Sequence, residues 1–275
     1  ADRAARLANP PTETQDALRT TLVPSLLDVA CRNFNHRATE GAIFELGKCF
    51  VASEEKDARP EENWHLAALW SGRVSASPYQ ADAREADFFD LKGLLEALVG
   101  GEGLRFTPAD RPECRSGHAA CVSLDDQPLG WLGQVSADLC AAFDLERQVH
   151  IFEISFAALA RHWHGRERSF SSLPKFPPIE RDLAVVVRAD TATAELIDTM
   201  RYSGYKATGL VESILVESIE VFDFYQGDQI EEGHKSVAFA IRLRGREQTL
   251  QDAQADEVIS EMLKSLKERF GARLR

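Results

Sequence analysis

Residues 235–246 read Lys-Ser-Val-Ala-Phe-Ala-Ile-Arg-Leu-Arg-Gly-Arg. Successive side chains of a strand point to opposite faces, so Val237, Phe239, Ile241 and Leu243 share one side, and Ser236, Ala238, Ala240, Arg242, Arg244 and Arg246 share the other. The apolar face demands a cover of helices, and the face of alanines and arginines is left open. The flanking sequence supplies that cover. It predicts a strand over 181–188, a helix over 193–203, a strand over 210–222, a loop through 227–233, the quoted strand over 235–244, a helix over 252–270 and a short end strand over 273–275. Val258, Met262, Leu266 and Phe270 recur every four residues, Thr249-Leu250-Gln251-Asp252 resembles a capping box, and Gly271 closes the helix. The order βαββαβ is the ferredoxin-like arrangement.

Upstream, residues 161–180 read RHWHGRERSFSSLPKFPPIE, where charges, serines and three prolines interrupt every apolar period. This stretch is read as a linker between a first domain, 1–160, and the ferredoxin-like domain, 181–275. The first domain opens with a loop at Asn9-Pro10-Pro11, followed by Leu18, Leu22, Leu26, Ala30 and Phe34 at four-residue spacing. Proline is tolerated only in the first helical turn, so Pro24 predicts a helix that starts near it and ends near Asn35. Strands are predicted over 42–51, 65–71, 119–124, 129–135 and 149–154, with a helix over 87–99 closed by Gly100-Gly101. The class is α+β with a mostly antiparallel sheet.

Composition narrows the function. The 275 residues carry 32 basic and 44 acidic side chains, a net charge of −12, which excludes indiscriminate nucleic-acid binding through a broad basic field. Neither half is basic: the charge is −8 up to residue 168 and −4 after it. No apolar run approaches the ~18 residues of a membrane span, and the first residues carry no export signal, so a cytoplasmic protein without membrane contact is expected. The five cysteines form no CxxC pair and are read as small core residues, so no metal site is expected. His162 and His164 are read as solvated linker residues, Asp87, Asp90, Asp125 and Asp126 as helix-start and turn residues, and the glycines at 100, 101 and 103 as a tight loop.

The open face of the second domain is more informative. With Ala184 beside Ala238 and Ala240, it offers a shallow surface to a flat ligand such as a nucleic-acid base, with Arg242, Arg244 and Arg246 placed to hold phosphates. Spacing alone favours the plainer reading, three arginines that only solvate an exposed sheet. Phe224 and Tyr225, expected in the loop after the second strand, either stack on an unpaired base or pin the hairpin from inside.

Ordered motifs along most of the chain carry a family resemblance. Asn9-Pro10, Glu13, the run Leu18-Arg19-Thr20-Thr21-Leu22-Val23-Pro24-Ser25-Leu26-Leu27, Ile43-Phe44-Glu45-Leu46-Gly47 and Asp87-Phe88-Phe89-Asp90-Leu91-Lys92-Gly93 are followed by Arg181-Asp182-Leu183-Ala184, Phe222-Asp223-Phe224-Tyr225-Gln226-Gly227 and Gly271-Ala272-Arg273-Leu274-Arg275. Together they resemble the C-terminal part of bacterial phenylalanyl-tRNA synthetase β subunits. Thr21 and Ser25 depart mildly from the family pattern, and the stretches at 115–120 and 133–136 depart more.

The resemblance implies a class II synthetase-like, catalytically inactive domain followed by a ferredoxin-fold anticodon-binding domain. It further implies a heterotetramer of two α and two β subunits in which the α subunit charges tRNA(Phe) with phenylalanine, using ATP and magnesium, while this portion carries no cofactor. The sequence agrees on catalysis, since no Phe-Arg-x-Glu-like setting is found and Gly130-Trp131-Leu132-Gly133 lacks an arginine. In this reading Leu26, Ala30 and Phe34 face the subunit interface. The alternative is a non-enzymatic regulatory protein whose ferredoxin-like domain binds a metabolite.

Overall fold

A computed structural model describes residues 4–10, 16–53, 58–74, 84–100, 103–164, 173–208 and 214–275. Pro11, Glu13, Gly101 and residues 210–213, all used in the sequence reading, lie outside these. The chain divides into two compact units, 1–168 and 169–275.

The first unit is a six-stranded, wholly antiparallel sheet in the order β1-β2-β6-β5-β4-β3, formed by β1 (Gly41–Val51), β2 (Glu61–Ser71), β3 (Leu104–Pro108), β4 (Cys114–Leu124), β5 (Gln127–Val135) and β6 (His150–Ser155). Alternation along β6 sends Ile151 to one face and Phe152 and Ile154 to the other. Helix α1 (Val23–Asn35) buries Leu26, Leu27 and Ala30 on the Ile151 side with Ala67, Leu69 and Trp131. Helices α2 (Phe88–Val99) and α4 (Phe156–His164) bury Leu91, Leu95 and Leu159 on the Phe152 side. A short α3 (Ala137–Ala142) is capped by Ser136, whose hydroxyl accepts the Leu139 N–H.

Local chemistry explains these boundaries. Asp87 and Asp90 form a reciprocal capping box at the start of α2, and Gly100 closes it in the left-handed region at φ 93°. Asp125 and Asp126 turn β4 into β5 with φ of 49° and 60°, a two-residue hairpin whose handedness matches the strand twist. Gly130 lies so close to β6 that a Cβ there would collide with the Glu153 carbonyl oxygen. The sequence reading missed β3, α3 and α4 and began β2 four residues late. Its linker is shortened at both ends, because α4 continues to His164 and the next strand opens at Pro178. His162 is therefore a helix residue with only 12% of its side chain exposed, its Nδ1 3.1 Å from Asp125, rather than a solvated linker residue.

The second unit has the order βαββαβ, with sheet order β10-β7-β9-β8. Its elements are β7 (Pro178–Arg188), α5 (Thr193–Thr208), β8 (Ile214–Tyr225), β9 (His234–Gly245), α6 (Asp252–Phe270) and β10 (Arg273–Leu274). Leu183, Val185, Val187, Val237, Phe239, Ile241 and Leu243 form one core with Leu196 and Met200 of α5 and Val258, Met262 and Leu266 of α6. The alternation read from the sequence is thus realised. The start of α6 differs: Gln254 Oε1 accepts the Gln251 N–H at 3.0 Å, so the cap is Gln251 and not Thr249. Edge strand β8 carries two register shifts, between Val216 and Ser218 and between Val221 and Asp223, irregularities that blunt an exposed edge.

Candidate nucleic-acid interface

Cross-strand partners share a face, so the register assigns the open side of the second unit residue by residue. Ala184 faces Ala238; Asp182 and Glu220 flank Ala240; Glu180 and Ser218 flank Arg242; Tyr225 and Val186 flank Ser236; and Asp223 lies opposite Ala238. The alanine strip predicted from sequence is present. Its middle is not bare, because Ala238 is only 5% exposed.

The three arginines are not equivalent. Arg244 is held at 2.9–3.2 Å by both oxygens of Glu217, the residue set out of register by the first irregularity in β8, and it also donates to the Phe176 carbonyl. With 14% of its side chain exposed, Arg244 works as an internal brace and is corrected from a free phosphate ligand to a structural one. Arg242 is 45% exposed and shares Glu180 at 3.4 Å and Glu217 at 3.7 Å. Arg246 lies past the end of β9 and is exposed, so it continues the row in sequence but not in the sheet.

The aromatics also separate. Both belong to β8 rather than to the following loop, and they point to opposite sides. Phe224 pairs with Val237 on the helix side and is 55% exposed beyond the helices, whereas Tyr225 pairs with Ser236 on the open side. Tyr225 is half-buried with its ring against Gly227 of the hairpin loop, and of the two only Tyr225 lies on the open face.

Arg275 is the residue that sequence reasoning left out. Its backbone N–H donates to the Ala184 carbonyl of β7 at 3.1 Å, just past the end of edge strand β10. Its guanidinium lies 5.4 Å from the Tyr225 ring centroid and 3.9 Å from Asp223, both on β8, so the side chain is laid across the strip. A planar guanidinium over an aromatic ring is itself a stacking platform. Its place could have been read from the end strand only with the sheet order in hand.

In the first unit, Leu26 and Ala30 are 3% and 2% exposed within the chain's own core, so they are corrected from interface residues to core residues. The four-residue stripe that identified the helix is the side it turns to its own sheet. Phe34 is half-buried against the same core under Arg147, 5.3 Å from its ring centroid. The outer side of α1 carries Asp28, Val29 and Arg32.

A further group was missed because its members are far apart in sequence. Cys49 on β1, His65 on β2 and Glu153 on β6 bring one donor atom each to within 4.8 Å of one another. Glu153 Oε1 lies 2.9 Å from His65 Nδ1 and 3.8 Å from Cys49 Sγ and accepts the Leu22 N–H at 2.9 Å, while Oε2 accepts the Thr21 hydroxyl at 2.5 Å. Hydrogen bonding of the imidazolium to Cys49 and to Glu153 raises His65 to about 10. Burial opposes the charge on Glu153, but hydrogen bonds from His65, Thr21 and the Leu22 N–H outweigh it and hold the carboxyl below its ordinary range.

Comparison with known proteins bears on both units. Residues 1–156 match the family described as phenylalanyl tRNA synthetase beta chain CLM domain, and residues 174–275 match the ferredoxin-fold anticodon binding domain. Curated phenylalanine–tRNA ligase β subunits from Bacillus cereus (32% identical over 273 residues) and Dehalococcoides mccartyi (34% over 271) each align with 98% of this chain. The chain spans 32% of the length of each. A solved pyrrolysyl-tRNA synthetase from Desulfitobacterium hafniense aligns with 60% of this chain and 53% of its own, at 15% identity and a TM-score of 0.44. Nothing in these matches favours the metabolite-binding regulatory reading. Two successive domain models, covering first the six-stranded unit and then the βαββαβ unit, place the chain in the phenylalanyl-tRNA synthetase β chain family.

Proposed function

We propose that this chain is a non-catalytic portion of a phenylalanine–tRNA ligase, assembling with an α subunit as a complex of two α and two β chains and binding tRNA(Phe) near the anticodon. Phenylalanine activation with ATP and magnesium belongs to the α subunit, and the complex acts in the cytoplasm. Among the described residues no helix is long and apolar enough to cross a membrane.

The observation that carries the RNA reading is the open face of the second unit, a shallow alanine strip with Arg242 toward one end and the Arg275–Tyr225 stack toward the other. An unpaired base can stack where the guanidinium and the ring already lie together, while Arg242 and the exposed Arg246, toward the other end of the strip, are left for phosphates of nucleotides further along the strand.

The test is titration of tRNA(Phe) against the chain at two salt concentrations. Losing one phosphate contact lowers the salt slope by roughly 0.7–0.9, the change expected for Arg242→Ala. Arg244→Ala is expected to lower thermal stability with little change in slope. Unchanged affinity and slope in a folded Arg242→Ala, Arg275→Ala double variant would remove this face as the RNA site.

A further inference from the structure

We propose that Cys49, His65 and Glu153 form a binding site for a borderline-soft divalent cation, zinc(II) in the first place, on the α1 side of the first unit's sheet. The argument starts from register. Cys49 pairs with Asn63 and His65 with Gly47, so the two lie diagonally across adjacent strands; His65 pairs with Ser155, so Glu153 lies diagonally across the next pair. Diagonal neighbours of this kind share a face. Three hydrogen-bonded strands therefore hold the three donors, without dependence on a mobile loop.

The donor set fits the ion. A thiolate, an imidazole and a carboxylate make a mixed S/N/O set of the kind zinc accepts, leaving a fourth position open. Around zinc, with bonds of about 2.0–2.3 Å, ligand atoms sit about 3.3–3.6 Å apart. The 2.9 Å and 3.8 Å separations from Glu153 bracket that spacing, and all three donor atoms lie within 4.8 Å of one another, so shifts of about an ångström close the site.

The supporting contacts are also present: Thr21 and the Leu22 N–H fix the Glu153 carboxylate, the role outer hydrogen bonds play in metal centres. Arg19, a cation on the same side of the sheet, is already paired with Glu45 at 2.5 Å. His65, with 28% of its side chain exposed, provides the way in, whereas Cys49 at 1% exposure is closed to any bulky reactant and so unsuited to act as a nucleophile. Binding exchanges two protons, one from the thiol and one from the imidazolium, for one dication, and leaves the site with the charge it had as a dication with a thiolate, a carboxylate and a neutral imidazole.

Cobalt(II) is the probe. Titrated into the chelator-treated, reduced full chain, it is expected to give one equivalent of a thiolate-to-cobalt absorption band in the near ultraviolet, displaced by zinc. Cys49→Ser is expected to lose the band, and both Cys49→Ser and His65→Gln, which remove ligands, to weaken binding by at least the roughly 10–100-fold that losing even an outer hydrogen-bond partner costs. Cys121→Ser, which changes an exposed thiol, should keep both band and affinity. Tryptophan fluorescence establishes that each variant is folded, and Cys49→Ala replaces Cys49→Ser if the latter is not. The proposal is overturned if the folded parent chain gives no such band with a tenfold excess of cobalt, or if the band survives in Cys49→Ser.

Discussion

In the metal-free chain, the Glu153 cluster makes the sharpest test of how the first unit is held together. Its carboxylate receives the Leu22 N–H at the entry to α1, the Thr21 hydroxyl and His65. Glu153→Ala leaves all three without their acceptor in a site where residue 153 is 5% exposed, and removing one partner of such a buried charged pair costs about 3–5 kcal/mol. Glu153→Gln keeps the shape and an acceptor oxygen but removes the charge, so it isolates the part of the pH term that Glu153 supplies and leaves the part from Cys49 in place. His65 is raised in the folded state from 6.5 to about 10, so its contribution is complete below pH 6.5 and is lost as pH rises through 10. Glu153 is lowered, so its contribution is complete above its ordinary value near 4.5 and is lost in acid. The pair is therefore worth most between about pH 4.5 and 6.5.

At 1.36 kcal/mol per pH unit, the His65 interval sets a ceiling of about 5 kcal/mol, which solvent screening of a partly exposed ring reduces to about 2–3 kcal/mol. All four tryptophans, at positions 64, 70, 131 and 163, lie in the first unit, so urea unfolding followed by their fluorescence reports that unit alone. With chelator present, Glu153→Gln keeps the larger contribution from Cys49, so between pH 6 and 9.5 the parent should lose about 1 kcal/mol more than Glu153→Gln does. A loss below 1 kcal/mol for Glu153→Ala, or identical pH profiles for the parent and Glu153→Gln, would refute the reasoning.

Two further outcomes concern the second unit. Glu217→Gln removes the acid that occupies Arg244 and shares Arg242, so it should steepen the salt dependence of tRNA(Phe) binding by up to about 0.7–0.9 per freed arginine while lowering the unit's stability by about 1–2 kcal/mol; a shallower slope would contradict the assignment. Because the two aromatics point to opposite sides, Tyr225→Ala should weaken tRNA(Phe) binding by about 1–3 kcal/mol and Phe224→Ala should leave it unchanged; equal effects in a binding titration would contradict the register.

What the sequence showed, and what it hid, follow from the range of the interactions. The strand 235–244 and the helix 252–270 were legible because burial on one side writes a period into adjacent residues, and that period was recovered to within one residue at each end. Strand β3 is five residues long and ends in Pro108, too short and too interrupted to show a period. Helix α4 has one fully buried side chain, Leu159, in nine residues and ends in Arg161, His162 and His164, so its composition reads as linker. The stripe of Leu26 and Ala30 gave the helix correctly and its partner wrongly, because an apolar stripe does not say whether its cover is the same chain or another. Arg244 could not be separated from Arg242 without the shift in β8 that brings Glu217 beside it. Cys49, His65 and Glu153 meet only through two successive strand pairings and leave no local motif.

The charge of the open face bears on how it would be used in the proposed function. On or beside it, Glu180, Asp182, Glu217, Glu220 and Asp223 accompany Arg242, Arg244 and Arg275, so carboxylates outnumber guanidiniums and several pairs are already satisfied internally. A phosphate approaching Arg242 must draw it away from Glu180 and Glu217, and a base entering the strip must share Arg275 with Asp223 and Tyr225. Each exchange gives back most of what it gains, so random polyanions are held weakly, in keeping with the net charge of −4 for this half of the chain. An RNA already held elsewhere on the same assembly meets the face at a high effective concentration and needs only a small local advantage, which stacking at Tyr225 and Arg275 can supply. A face arranged in this way selects for a nucleotide presented in the right place, and adds discrimination rather than bulk affinity to the complex.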